Sequence, residues 1–324
     1  MIPQQSRPPH RSGAAVRGAG RCRRWRPEGP VDLALVLGPL RRGSGDPALR
    51  IGPDDAYWRA SRTPEGPGTL RLYARPTEGV VEAEAWGAGA GWLLDRVPAL
   101  LGGEDEVTAF VPRHRIVYAA HRRHPGLRLT RTGLVMEALL PAILEQRVTT
   151  GEAYRAWRLV LTRHGEPAPG PAESPAARMR VPPEPRAWAL IPSWEWHRYG
   201  VDGHRSSTIL RAVRVAGRME EAAGMTAQAA VRRLTAVPGI GPWTAAETLQ
   251  RSNGAPDVVS VGDLHLPGVV GYALTGERTD DAGMLELLEP YRGQRHRACR
   301  LILLSGRVPP RRHPRYAPLD YRDM

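Results

Sequence analysis

The sequence predicts an α+β protein in which a small antiparallel α/β domain precedes a mostly α-helical one. Three observations carry that prediction. Short runs with strand-like alternation follow one another in the first third of the chain without helices between them. Beyond residue 113, apolar residues recur at helical spacing. The length of 324 residues, 41% of them hydrophobic, suits about two ordinary domains with a substantial core.

Taken in order, residues 1–29 are rich in Pro, Gly and Arg, lack apolar periodicity and read as a disordered basic arm. Leu33, Leu35 and Leu37 begin an ordered element, and strand-like runs follow at Tyr57–Ala60, Leu70–Arg75 and Val80–Trp86. Trp92, Leu93, Val97, Leu100 and Leu101 are spaced as one helix face, which closes a small domain over residues 30–112. The helical domain is expected over 113–306. Leu134, Ala138, Ile143 and Leu144 lead one long helix, and a Pro/Glu-rich connection covers 165–186. Ile209, Val213, Ala216 and Met219 form a further helical stripe, and Thr226 suits the N-cap of the next helix. Residues 307–324 read as a Pro/Arg-rich tail.

The formal charge is +13, and since the chain has no lysine, all 46 basic residues are arginines. Codon bias suffices to explain that preference, but its chemistry stands: no side chain is available for Schiff-base or P-loop lysine chemistry. Seven arginines precede Glu28, and without them the body keeps +6, a moderate attraction for a polyanion. Two cysteines, Cys22 and Cys299, exclude a disulfide framework and a four-cysteine cluster, so no iron–sulfur centre is expected. The apolar run Leu33–Leu40 is too short for a signal sequence, and nothing reaches the length of a membrane span. A cytoplasmic protein is the expectation, nucleoid-associated when bound to DNA, with no membrane partner.

Chemistry concentrates in one segment. Val231 and Leu234 end an amphipathic helix, and Pro238-Gly239-Ile240-Gly241 makes a tight turn with glycines where positive φ or close backbone approach is needed. Pro242 sits where a helix start favours it. The free N–H groups of such a turn and helix start suit a phosphate. Twenty-four residues after Gly239 stands Asp263, delivered by the strand-like run Val258–Val261 to the next helix start, where an ionised carboxylate is favoured. Alone, Gly-x-Gly is an ordinary turn and Asp263 an ordinary N-cap. Together, at this spacing, they carry more.

The hairpin followed by that aspartate resembles the helix-hairpin-helix DNA glycosylase superfamily. The small N-terminal domain, which would then be TBP-like, is similar to that of the bacterial 3-methyladenine DNA glycosylase II branch. The resemblance implies a monofunctional DNA glycosylase of base excision repair that flips out a damaged, alkylated purine and hydrolyses its N-glycosidic bond. Its partner would be double-stranded DNA carrying a damaged base, bound by a monomer. Asp263 would be the catalytic carboxylate. Backbone carbonyls of Thr235, Val237 and Ile240 would hold a monovalent cation, Na+ or K+; the chemistry itself needs no cofactor. Where bifunctional members carry the lysine that attacks the sugar, this chain has Trp243, which implies hydrolysis without a lysine-dependent lyase step.

The resemblance would place Trp243, Glu247 and Leu264, with Leu303 less securely, at base-contacting positions, fewer of them aromatic than in the best-known alkylpurine enzymes, although Trp243 also reads as a core residue and Glu247 as a solvated helix residue. Trp243 suits stacking on a cationic base. Ile143–Thr149 resembles the segment that supplies the wedge filling the gap left by the flipped nucleotide, which would place Gln146 and Arg147 there, Arg147 in the wedge position; a surface arginine on a helix end is the other reading. Trp194–His197 reads as core packing with one polar face, and Tyr291, Arg292 and Arg295 as residues of the last helix. Two other functions fit the same motifs: a non-catalytic helix-hairpin-helix DNA-binding or damage-sensing protein, and a glycosylase for deaminated bases.

Overall fold

The computed structural model describes residues 20–310. The first ordered element is β1 (Arg21–Trp25), inside the stretch expected to be a disordered arm, so that expectation is corrected for its last part. Residues 1–19 of the arm and 311–324 of the tail lie outside the described residues. Helix α1 (Leu33–Leu37) starts at an N-cap, Asp32, whose carboxylate accepts from the Ala34 and Leu35 N–H groups. A 3-10 turn at Gly38–Leu40 continues it. Strands β2 (Leu49–Ile51), β3 (Tyr57–Thr63), β4 (Gly66–Arg75) and β5 (Val80–Gly87) follow, then short helices α2 (Ala90–Asp95) and α3 (Val97–Leu100).

The five strands form one antiparallel sheet in the order β1-β5-β4-β3-β2. Alternation decides its faces. Leu70, Leu72, Val81, Ala83 and Ala85 point to one side and pack with Leu33, Val36, Leu37, Leu93, Val97 and Leu100. Ala56, Trp58 and Ala60 form a smaller core with Ala176, Met179 and Val181. The 165–186 connection thus helps cover the sheet. It contains the two-residue strands β6 (Glu166–Pro167) and β7 (Arg180–Val181). β1 pairs Arg21 with Ala85 and Arg24 with Glu82 across the edge.

The helical part runs α4 (Arg115–Arg123), α5 (Val135–Leu144), α6 (Thr150–His164), α7 (Pro185–Ala189), α8 (Ser193–Arg198), α9 (Gly203–Arg214), α10 (Ala216–Glu220) and α11 (Ala227–Thr235). It ends with α12 (Pro242–Ser252), α13 (Leu266–Thr275), α14 (Asp281–Leu287) and α15 (Arg295–Leu304). Val215, with φ −117° and ψ 24°, divides the predicted 209–219 stripe into α9 and α10. Thr226 caps α11 by accepting from the Ala229 N–H. Trp196 is buried and stacks on Trp188, but Trp194 is 71% exposed, so only part of that aromatic run is core. Tyr291 lies in a 3-10 turn before the last helix, where its hydroxyl accepts from the Arg113 and His114 N–H groups.

Two cores divide the helices. One joins α5, α6 and α9 to α11 and α12 through Leu139, Ile143, Trp157, Ile209, Leu234 and Leu249. The other joins α4 to α13, α14 and α15 through Val117, Val270, Met284, Leu301 and Ile302. The segment linking α12 to α13 crosses the seam between them, and it carries Asp263. Polar ties join the helices to the N-terminal domain: Arg251 donates to the Pro39 carbonyl at 2.9 Å, Arg42 pairs with Glu145 at 3.1 Å, and Arg59 pairs with Glu137 at 2.5 Å.

Candidate active site

The turn between α11 and α12 has the geometry that its glycines anticipated. Gly239 has φ +95°, and a Cβ there would come within 2.1 Å of the Thr208 hydroxyl oxygen, so both backbone conformation and space demand glycine. The Ile240 N–H donates to the Val237 carbonyl at 3.0 Å, closing the turn. Gly241 is the N-cap of α12, with no side-chain cap and Pro242 in the first turn. Trp243 and Thr244 find no carbonyl partner among the described residues, so their N–H groups are open to an anion at the helix start.

The turn is braced from two sides. Arg211 of α9 donates to the Pro238 carbonyl at 2.9 Å. Gln146 donates from one amide nitrogen to the Gly239 carbonyl at 3.0 Å and to the Thr244 hydroxyl at 2.8 Å. Gln146, expected in the wedge segment, thus holds the turn in this structure. Arg147 beside it is exposed and adopts φ +55°, one of two non-glycine residues with positive φ among those described. A left-handed arginine at the tip between α5 and α6 is a strained conformation that pushes its side chain out of the helix path.

The carbonyls proposed for a cation fit that use. Those of Thr235 and Ile240 accept no hydrogen bond from the described residues, and that of Val237 accepts only the Ile240 N–H. Carbonyl oxygens left without donors are the ligands that hard monovalent cations take. Among the described residues no cluster of three or more His, Cys, Asp or Glu side chains could hold a metal ion.

Asp263 lies opposite α12. Its Oδ1 accepts from the His265 and Leu266 N–H groups, both at 2.8 Å, and its Oδ2 accepts from the Trp243 indole N–H at 3.0 Å. The acid therefore caps α13 and faces the hairpin helix at once. An ionised carboxylate offers about four acceptor sites. Three are used here, and the remaining one is on Oδ2. The side chain is half-buried, and its neighbours Leu264 and His265 are exposed, Leu264 at 83%. Leu264 accordingly stands at the rim beside the acid and does not wall a closed pocket. Leu303 is 48% exposed on α15.

The expected strand Val258–Val261 is not one. The segment is irregular chain, and side chains hold it in place of a ladder. Asp257 at its start accepts from Arg295 at 2.8 and 2.5 Å and from the Gly293 N–H at 2.8 Å. In its middle, the Ser260 hydroxyl donates to Glu247 at 2.5 Å, while Gln250 donates to the Val258 carbonyl at 2.9 Å and to the Ser260 oxygen at 3.0 Å. Towards its end, the Gly262 N–H donates to both oxygens of Asp281, at 3.0 and 3.1 Å. Trp243, Glu247 and Gln250 occupy one face of α12 at i, i+4 and i+7, so one helix face positions the carboxylate from Val258 to Asp263.

Glu247 is thereby removed from the base-contacting set. It pairs with Arg251 at 2.7 Å. Burial alone would raise its carboxyl, but Arg251, the Ser260 hydroxyl and Arg42 outweigh that and hold it below the ordinary carboxylate value. Of the residues expected at the site, the structure brings together Trp243, Asp263 and the hairpin Pro238–Gly241, with Arg147 at an adjacent tip. The bracing residues Gln250, Ser260, Asp281 and Arg211 were not anticipated. The i, i+4, i+7 spacing of Trp243, Glu247 and Gln250 was the one sequence signal that pointed to any of them.

The chain has the fold of the helix-hairpin-helix DNA glycosylases. It resembles a 3-methyladenine DNA-glycosylase from Archaeoglobus fulgidus with a TM-score of 0.71 and 18% identity, over 87% of this chain and 98% of that one. It also resembles MBOgg1 in complex with a low-affinity DNA ligand, at TM-score 0.69 and 13% identity over 90% and 96% of the two chains. An 8-oxoguanine glycosylase/lyase of Clostridium acetobutylicum, in complex with double-stranded DNA containing cytosine opposite 8-oxoG, aligns at TM-score 0.66 and 10% identity, over 86% and 92%. No protein-family model matches the sequence, and no curated protein matches it by sequence comparison. No described helix is long and apolar enough to cross a membrane.

Proposed function

We propose that this protein is a monofunctional DNA glycosylase that hydrolyses the N-glycosidic bond of a damaged base, an alkylated purine being the preferred lesion. The observation that carries the reading is the placement of Asp263: a half-buried carboxylate, facing the helix that begins at the phosphate-binding turn, with one acceptor site left open on Oδ2.

In this reading the duplex phosphates lie on the Pro238–Gly241 turn and the open N–H groups at the start of α12. Na+ or K+, held by the carbonyls of Thr235, Val237 and Ile240, would add positive charge beneath a phosphate. Arg147 fills the gap in the duplex as the target nucleotide swings out. As the bond from C1′ to the base nitrogen breaks, positive charge grows on the sugar, and Asp263 stabilises it electrostatically. Its open Oδ2 site orients the water that adds to C1′; the base leaves with the bonding electrons and the water's proton goes to solvent. A cationic alkylpurine departs as a neutral base, so this modest assistance suffices. Trp243 keeps the carboxylate oriented and presents an indole face beside it.

No lysine is available to form a covalent sugar adduct, so the abasic product should stay unbroken until heat or alkali is applied. The test is release of free base from duplexes carrying 3-methyladenine or 7-methylguanine, uracil or hypoxanthine, or 8-oxoguanine, with strand integrity followed in parallel. Release from the alkylated duplex, without nicking, is the expected result. Binding to all of them with release from none would favour the damage-sensing alternative.

A further inference from the structure

Helix α4 carries an exposed cationic face that the proposed active site does not use. Arg115, Tyr118, Ala119, Arg122 and Arg123 are exposed at i, i+3, i+4, i+7 and i+8, so they form one stripe, while Val117 and Ala120 are buried on the opposite side. Arg113 extends the stripe at the N-terminal end. From Val107 to Met136 the sequence contains no carboxylate at all.

Several arginines on other elements are ion-paired. Arg71 reaches Asp54 at 2.6 Å and Glu84 at 3.2 Å, Arg75 reaches Glu82 at 3.1 Å, and Arg295 reaches Asp257 at 2.5 Å. The side chains of Arg113, Arg115, Arg122 and Arg123 form neither an ion pair nor a hydrogen bond with any described residue. The first turn of α4 holds Arg115 and no acid, against the preference of a helix start for negative charge, and no side chain caps it. His121, on the flank of the helix, is held below its ordinary value by burial first and then by Arg297 and Arg122, which shows the sign of the local field. Tyr118, 54% exposed, lies on the same stripe.

We infer that the Arg115–Arg123 face of α4 is a second duplex-binding surface, which contacts DNA phosphates without reading sequence. The stripe is about 12 Å long from Arg115 to Arg123 at the rise of an α-helix. Phosphates along one strand fall about 3.4 Å apart along the duplex axis, so the stripe spans three or four of them. Guanidinium groups suit bidentate phosphate contact. The inference rests on the reading of the protein as a DNA glycosylase and adds to it a surface that lets the enzyme stay on undamaged DNA away from the flipped base.

The experiment is the affinity of the full chain for an undamaged duplex, measured across a range of salt. Removing one arginine–phosphate interaction lowers the slope of log affinity against log salt by about 0.9. R115A/R122A/R123A should reduce the slope by two to three and weaken binding at least tenfold at low salt, with thermal unfolding unchanged because the side chains are exposed and unpaired. R115K/R122K/R123K, which keeps the charges, should recover most of the slope. If the wild type binds duplex and the alanine variant binds with the same slope, the inference is wrong although the function stands. If the wild type binds no duplex at all, the function fails first. Loss of binding to anionic lipid vesicles but not to DNA in the alanine variant would also overturn it, by assigning the face to a membrane surface.

Discussion

The Trp243 indole N–H donates to Oδ2 of Asp263 at 3.0 Å, across the seam between the two helical cores. The indole fixes the orientation of the acid. A hydrogen bond from a neutral donor to a carboxylate contributes about 1.5–3 kcal/mol. Trp243→Phe should therefore lower the rate of base release about 10- to 100-fold in single-turnover measurements, with duplex affinity changed much less. Equal losses in both would mean that the ring serves binding alone.

Asp263→Asn should abolish base release, by a factor on the order of 10² to 10⁴, and still bind duplex. The amide oxygen can take over Oδ1 and accept from the His265 and Leu266 N–H groups, so the cap on α13 survives. The thermal midpoint separates the two effects: a variant that is folded, DNA-bound and inactive supports the assignment, and a folded variant with full activity removes it.

Glu247 ties α12 to the segment that carries the acid through Ser260, and pairs with Arg251 on its own helix. Leaving a buried guanidinium without its partner costs about 3–5 kcal/mol, so Glu247→Gln should be strongly destabilised. Because the Glu247 carboxyl is held below its ordinary value in the folded protein, the pair stabilises fully above the unfolded carboxylate range, near 4.3, and the contribution disappears as pH falls through the lower folded value. Urea unfolding should show the wild type losing stability in acid over that window, and E247Q losing less, having no such carboxyl to protonate.

Arg147 separates stability from function. Its φ of +55° is one that glycine adopts without strain, so Arg147→Gly should stabilise the fold slightly, by up to about 1 kcal/mol. As the proposed wedge, the same change should slow base release from paired lesions at least tenfold, and much less from a lesion in a bulge that is already unstacked. A more stable protein that releases base normally would show that the arginine does not enter the duplex.

Much of the fold is legible where the signal is local. The strand-like runs Tyr57–Ala60, Leu70–Arg75 and Val80–Trp86 fall within β3, β4 and β5, and the hairpin follows from Gly239, a position where only glycine fits. Most of the misreadings share one cause: partners distant in sequence. β1 looks unstructured because Arg21-Cys-Arg-Arg-Trp25 has no apolar rhythm. It is ordered by strand β5, whose Glu82 pairs with Arg24 at 3.7 Å. Val258–Val261 has the composition of a strand but meets Glu247 and Gln250 in place of a neighbouring strand. Glu247 stands in register for a flipped base, although Arg251 four residues on offers the simpler partner. Gln146 shows its role only once folding brings Gly239 beside it.

The border strand at Arg21–Trp25 changes how the molecule should be trimmed. A shortened chain beginning at Pro30 would leave the outer backbone of β5 from Val81 to Ala85 as a bare rim of unclaimed amides and carbonyls. Such rims recruit one another between molecules. The end of what reads as a disordered arm is a hem that covers the open side of the sheet.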